Sequence, residues 1–271
     1  MVDISYNKHE KAFMIYPALC TGCRACQVAC KNWNQLPAIK TENRGTFENP
    51  RDLNPTTYTK IKFNEYSTGS DTGGSIHYGI SWLFLKQQCF HCTEATCMLV
   101  CPSQGALTRT PEGIVVHNPD KCIGCKYCVF TCPFKVPQFD TLTQTISKCH
   151  LCHDRVAHNL IPACAKACPT GAIQYGDRDA LINEAKASGA NRIYGEKELK
   201  GLHVMYALPE SPEKYGLPED PRVPRSVYWW KNIFKPLIKW GLPLTILACL
   251  VHFWFHGPHV IEQAKGGPSN D

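Results

Sequence analysis

Sixteen of the seventeen cysteines in this 271-residue chain fall into four groups of four, and that arrangement limits the fold more than any other feature. The groups are Cys20, Cys23, Cys26 and Cys30; Cys89, Cys92, Cys97 and Cys101; Cys122, Cys125, Cys128 and Cys132; and Cys149, Cys152, Cys164 and Cys168. So many thiols admit three chemistries: disulfides, zinc or iron–sulfur clusters. A disulfide framework belongs to an exported chain. Met1–Lys8 has neither an apolar core nor a twin arginine, so no export signal of the chain's own is expected. An odd count also leaves one thiol over.

Spacing separates the two metals. The third group reads C-x2-C-x2-C-x3-C-P, the bacterial ferredoxin run, in which three thiolates hold one [4Fe–4S] cube and the fourth reaches another. The first group has the same spacing, with Lys31 in place of the proline; the second widens to C-x2-C-x4-C-x3-C-P and the fourth to C-x2-C-x11-C-x3-C-P. A tight loop wraps its thiolates around the corners of a cube and aims backbone N–H groups at the cluster sulfurs. The last cysteine lies one helical turn further on, and Pro102, Pro133 and Pro169 then turn the chain away. Two C-x2-C pairs complete a zinc site without these extra cysteines. Iron–sulfur clusters are therefore expected. The competing class is a zinc-ribbon protein that binds nucleic acid, which is colourless where a cluster protein is brown.

The repeat extends beyond cysteine. Cys101-Pro102-Ser103-Gln104-Gly105-Ala106-Leu107 and Cys168-Pro169-Thr170-Gly171-Ala172-Ile173 make the same turn after a cluster. Ile114–Val116 and Ile173–Tyr175 read as short strands, and Arg178–Ser188 as a helix. The expected fold class is α+β: two ferredoxin-like double-cluster modules of short strands and helices, followed by one C-terminal transmembrane helix. Groups two and three are adjacent and complete, so they pair. Groups one and four then pair and bring the chain back on itself. The expected division is a cluster domain over 1–176 with an insertion at 33–88, an extended packing segment over 177–232, the membrane helix over 233–256 and a polar tail over 257–271.

The membrane helix rests on the run Ile233–His256, within which Trp240–Phe255 carries no formal charge. Such a helix is about 36 Å long at ~1.5 Å per residue. Trp229, Trp230, Trp240 and Trp254 suit membrane interfaces, and Lys231, Lys235 and Lys239 can snorkel. The alternative is a buried core helix, since the strictly uncharged run is 16 residues, just under the usual length of a span, and Pro236 and Pro243 lie within Ile233–His256; but an uncharged run at the chain end with aromatic flanks has little core to bury it. With 44% apolar and 19% charged residues, the chain is neither disordered nor multi-spanning.

The sequence resembles the four-cluster iron–sulfur subunits of the dimethyl-sulfoxide-reductase-type molybdopterin oxidoreductases, and above all the β subunits of membrane-bound formate dehydrogenase of the N type. The resemblance covers nearly the whole chain. It is carried by Cys20–Cys30, Cys122–Cys128, Lys148–Val156, Gly201–Leu208, Tyr215–Pro218 and the apolar C-terminal segment. It implies four [4Fe–4S] clusters. One is held by Cys20, Cys23, Cys26 and Cys168, and a second by Cys89, Cys92, Cys97 and Cys132. A third is held by Cys122, Cys125, Cys128 and Cys101, and a fourth by Cys149, Cys152, Cys164 and Cys30. It further implies electron transfer with no catalytic site in this chain, a catalytic α subunit bearing a molybdenum or tungsten bis-pterin, and a membrane cytochrome b γ subunit that reduces quinone. The cluster domain is then on the periplasmic face, although Arg222, Arg225, Lys231, Lys235 and Lys239 before the span favour the opposite side by flanking charge. Subunits of membrane-bound hydrogenases and of polysulfide, thiosulfate or dimethyl sulfoxide reductases share this framework and are the alternative.

Four clusters of about −2 each outweigh the formal +6 of the chain, so its basicity is no argument for nucleic acid. Arg24, Lys31, Lys121, Lys126 and Lys148 lie beside cysteines and are expected in part to offset cluster charge. His91, His150 and His153 sit inside cluster motifs already supplied with four thiols, and are expected around the clusters or at the surface. His252, in the apolar span, is a candidate contact with a membrane partner. Cys249 is expected as an inert small hydrophobe. Thr68–Ser75 reads as a flexible turn and not a phosphate loop, since no GK[ST] follows.

Overall fold

The computed structural model describes residues 10–67 and 79–265. Met1–Lys8 and Thr68–Ser75, read above, lie outside the described residues, as does the end of the tail from 266. The chain divides into two units, one ending at Val223 and the other starting at Pro224.

The first unit is organised on a four-stranded sheet in the spatial order Ile173–Asp177, Lys11–Ile15, Val204–Ala207, Ile193–Tyr194. Lys11–Ile15 pairs antiparallel with Ile173–Asp177, Phe13 opposite Tyr175, and parallel with Val204–Ala207, Met14 opposite Met205. The run Ala12-Phe13-Met14-Ile15 is apolar at every position because both faces of its strand are covered. Ala12 and Met14 pack with Leu181, Ile182 and Ala185 of the helix Arg178–Ala187. Phe13 and Ile15 face the other way, into a core that contains Cys26, Cys89, Cys149 and Cys164. The two-residue period of one strand thus separates a helix layer from a cysteine layer.

The strand and helix expected near 173 and 178 are present as Ile173–Asp177 and Arg178–Ala187, and the strand expected at Ile114–Val116 lies at Val115–His117. Two departures have a common cause. The 177–232 segment, expected as a packing linker, supplies the strands Ile193–Tyr194 and Val204–Ala207 of the central sheet. The insertion at 33–88 contains a long antiparallel ribbon, Lys60–Ser67 with Ile80–Gln87. On it Phe47, Phe63, Trp82 and Phe84 interlock at ring-centroid separations of 5.0 to 5.9 Å. Short or irregular strands carry little periodicity of their own, and their partners decide them.

Each cysteine group sends its last members along a short helix: Ala25–Trp33, Thr96–Val100, Tyr127–Thr131 and Ala163–Lys166. Ala25–Trp33 packs on Ala163–Lys166, and Thr96–Val100 on Tyr127–Thr131. Group one therefore meets group four, and group two meets group three.

In the second unit, Arg225–Trp229, a π turn at Trp230–Phe234 and Lys235–Lys265 form one helical run. Pro236 has no N–H to return to the preceding turn, and the wider turn sits where that bond is missing. The helix starts before the expected Ile233 and continues to Lys265, through residues expected as polar tail. Arg225–Phe255 is long and apolar enough to cross a membrane by length and composition, and none of its most apolar window is buried.

Candidate metal centres

The first and third cysteine loops share one backbone. Pro17 and Pro119 each open a single tight turn that closes on the first cysteine, with the Cys20 and Cys122 N–H groups donating to the Pro17 and Pro119 carbonyls at 3.0 Å. Gly22 and Gly124 follow at φ +66°, and Arg24 and Lys126 at φ +62°. These left-handed residues fold the N–H groups inward, a concave arrangement that suits an anion. At Gly124 a Cβ would lie 2.4 Å from the Gln144 carbonyl oxygen, so conformation and space both demand glycine.

Three hollows of comparable size, about 420, 330 and 380 Å³, open among the cysteines. Cys20, Cys23, Cys26 and Cys168 line the first; Cys101, Cys122, Cys125 and Cys128 the second; Cys89, Cys92, Cys97 and Cys132 the third. Cys30, Cys149, Cys152 and Cys164 form the remaining cluster of thiols: burial first, then the other three, push the Cys30 pKa far above the thiol range. In each set three cysteines come from one group and the last from the group it packs against. The helix pairs cause this exchange, because each helix carries its final cysteine past its own loop.

The lining fits an anionic cluster with a cationic core. Burial pushes Cys26, Cys97, Cys128 and Cys149 up to about 12, and Cys132 and Cys152 to about 11. Four adjacent thiolates in such surroundings need positive charge among them. Lys86 is buried, donates to the Gln88 side-chain oxygen, and holds its Nζ 5.6 Å from the Phe13 ring centre. Burial alone lowers its pKa, but Cys164, Cys26, Cys149 and Cys30 outweigh that and raise it. Lys148, also buried, donates to the Val115 and Cys149 carbonyls and lines the third hollow. Buried ammonium groups set among thiols call for neighbouring negative charge, which anionic clusters provide.

Two imidazoles stand in the lining, and one is fixed as a hydrogen-bond donor. The His91 Nδ1 accepts the Val115 N–H at 3.0 Å, so its ring proton sits on Nε2. His91 and Thr96 belong to the lining of the third hollow and His117 to that of the second; their polar atoms here are the His91 Nε2, the Thr96 hydroxyl oxygen and the His117 Nε2. All three are buried without a partner among the described residues. Burial holds His91 far below the usual imidazole range and His117 down at about 4, so both rings are neutral. Such donors suit cluster sulfurs. The prolines after the last cysteines do related work, because the chain they turn back offers N–H groups to the thiol. Desolvation raises the Cys168 pKa, but Thr170, Ile173 and Ala172 outweigh it and hold the thiol below its usual range.

Of the basic residues expected to offset charge, Lys148 is the buried one. Arg24 lies over the Phe63 ring at 5.0 Å, Lys126 over Phe139 at 4.0 Å, and Lys31 donates to the Thr56 carbonyl at 3.0 Å. His91 is wholly buried, not at the surface, while His150 and His153 sit within the fourth group's loop. His252 and Cys249 lie within the helix Lys235–Lys265. Sequence reasoning missed Lys86 and the prolines at 17 and 119. The signals were a lysine three residues before Cys89 at the end of an apolar strand, and a proline three residues before the first cysteine in both loops.

Residues 80–178 match the protein family described as a 4Fe-4S dicluster domain, and this stretch contains cysteine groups two to four. The chain is 36% identical over 270 residues to the formate dehydrogenase-O iron-sulfur subunit of Escherichia coli (strain K12), covering 95% of this chain and 87% of that one. It is 37% identical over 272 residues to the formate dehydrogenase iron-sulfur subunit of Haemophilus influenzae, covering 96% and 85%. It is 33% identical over 221 residues to formate dehydrogenase 2 subunit beta (cytochrome c-553) of Nitratidesulfovibrio vulgaris, covering 76% and 96%.

Proposed function

The chain belongs to the formate dehydrogenase iron–sulfur subunits, and on that premise we propose that it relays electrons from a molybdenum- or tungsten-pterin catalytic partner, through four [4Fe–4S] clusters, to a membrane cytochrome b and quinone. The proposed ligands are the four thiol sets described above, three of which line hollows. Each cluster, when bound, supplies reversible one-electron exchange. The chain's own part is to hold the clusters, exclude water from them, and fix their order and potentials.

A file of thiol sets supports this reading. Cys164 of the second set raises the pKa of Cys26 of the first; Cys149 of that second set is raised by Cys89 of a third; Cys97 of the third is raised by Cys128 of the last. The order is Cys20/23/26/168, Cys30/149/152/164, Cys89/92/97/132, Cys101/122/125/128. Lys86 stands at the first junction and Lys148 beside the second.

The helix Arg225–Phe255 is proposed as the anchor, with the cluster unit on the periplasmic face and His252 contacting the cytochrome b partner. Large domains cross regardless of flanking charge, so the preceding arginines and lysines do not oppose that orientation. The test is anaerobic co-purification from solubilised membranes. About sixteen irons per chain are expected, with formate oxidation measurable through both a dye and quinone. Cys125→Ser should stall quinone reduction and leave formate-to-dye activity of the assembled complex largely intact. Loss of dye activity in an assembled complex would contradict this division of labour.

A further inference from the structure

We propose that His150, His153 and Asp154 form a binding site for a borderline divalent metal ion of the zinc class, separate from the cysteine sets. His150 precedes the left-handed pair Leu151-Cys152, and His153 and Asp154 open the short helix His153–Val156, so the turn folds the three side chains toward one another. Their ligand atoms all lie within 4.8 Å of one another. The two Nδ1 atoms are 3.3 Å apart, and the His150 Nδ1 is 4.0 Å from the Asp154 Oδ1. Two ligands on a tetrahedral zinc ion are about 3.3 Å apart when the bonds are about 2.0–2.1 Å. The imidazole pair already has that spacing, and the carboxylate needs a small inward movement.

The surroundings orient each ligand. The Asn34 amide donates through Nδ2 to the Cys30 carbonyl at 2.8 Å, which leaves its Oδ1 as the atom facing His150 Nε2 at 2.6 Å. An amide oxygen only accepts, so the His150 proton is on Nε2 and the Nδ1 lone pair points at the site. The Trp33 indole N–H donates to the Asp154 Oδ2 at 2.8 Å and leaves Oδ1 for the site. A ring N–H given to an oxygen acceptor and a carboxylate held by a donor are the outer contacts that metal-ligating His and Asp make. Two imidazoles and one carboxylate are a borderline donor set. His153 and Asp154 are exposed, so a fourth position is open to water. A metal here would pin the loop of Cys149 and Cys152 to the end of the helix that carries Cys30.

The competing arrangement is a plain hydrogen bond from the His153 Nδ1–H to the His150 Nδ1. The two are separated on the anaerobically purified complex, treated with a mild chelator until zinc is gone and iron content is unchanged, then titrated with Zn²⁺. Expected are one calorimetric site absent from His153→Gln, X-ray absorption at the zinc edge with nitrogen and oxygen neighbours at about 2.0–2.1 Å, and a loss of affinity of about ten-fold or more in Asp154→Asn. Iron content should equal wild type in both variants. The proposal is overturned by an absence of zinc uptake at full iron content, by sulfur ligation, or by unchanged affinity in either variant.

Discussion

Lys86 and His91 show how single buried residues set the properties of such a site. The His91 ring is neutral and wholly buried, with its proton on the nitrogen that finds no partner among the described residues. A donor beside a cluster stabilises the reduced, more negative form and raises the potential. His91→Leu should lower the potential of the cluster proposed for the Cys89/92/97/132 set. A hydrogen bond worth about 1 kcal/mol corresponds to roughly 40 mV for one electron, readable by potentiometric electron paramagnetic resonance. An unchanged potential would show that His91 only supports the Val115 backbone. Lys86 faces thiols of two of the proposed clusters at once, since Cys26 and Cys30 belong to different sets. Lys86→Met should move both potentials downward and leave those of the other two in place. A shift confined to one cluster would remove Lys86 from the junction.

At the scale of elements, the cysteine loops are pre-shaped by their sequence. Pro, Gly and a basic left-handed residue recur at matching positions around Cys20–Cys26 and Cys122–Cys128, and the φ values agree between the two. Gly124→Ala forces a Cβ against the Gln144 carbonyl at a positive φ. Strain of about 1–2 kcal/mol for the conformation adds to about 1–3 kcal/mol for crowding. The expected result is a folded protein with about one cluster's worth of iron missing, by iron analysis of anaerobic material. Full iron content in that variant would mean that the loop moves freely. These loops were legible because their conformation is local. The ribbon Lys60–Ser67 with Ile80–Gln87 was not, because partners of its aromatic face, Phe47 and Arg24, come from outside it.

For the whole molecule, metal and fold are one system. The core of the first unit contains thiols, with the buried Lys86 and Lys148 beside them, so emptying the clusters leaves hollows and uncompensated charge in its middle. Iron removal under anaerobic chelation should open the chain between residues 80 and 178 to protease, while the helical signal of the C-terminal span persists. Protection equal to that of the loaded protein would show a core that stands without metal. Truncation after Val223, at the boundary of the two units, should release a brown protein into the soluble fraction with its iron content retained. Retention in the membrane would place the anchoring elsewhere.

The sequence by itself determined the chemistry: thiol spacing is set by one loop and one helical turn, so it survives in the linear order of residues. It also marked the apolar span, whose lack of charge needs no partner to be seen. The pairing of the cysteine groups was expected from their order; only the tertiary structure decided which sets stand next to which, and that residues 193–207 close the central sheet. These depend on contacts between segments far apart in the chain, where helix packing and strand pairing, not local pattern, carry the free energy. The charge on Lys86 was readable from its letter; its burial between two sets of cysteines was a consequence of the fold.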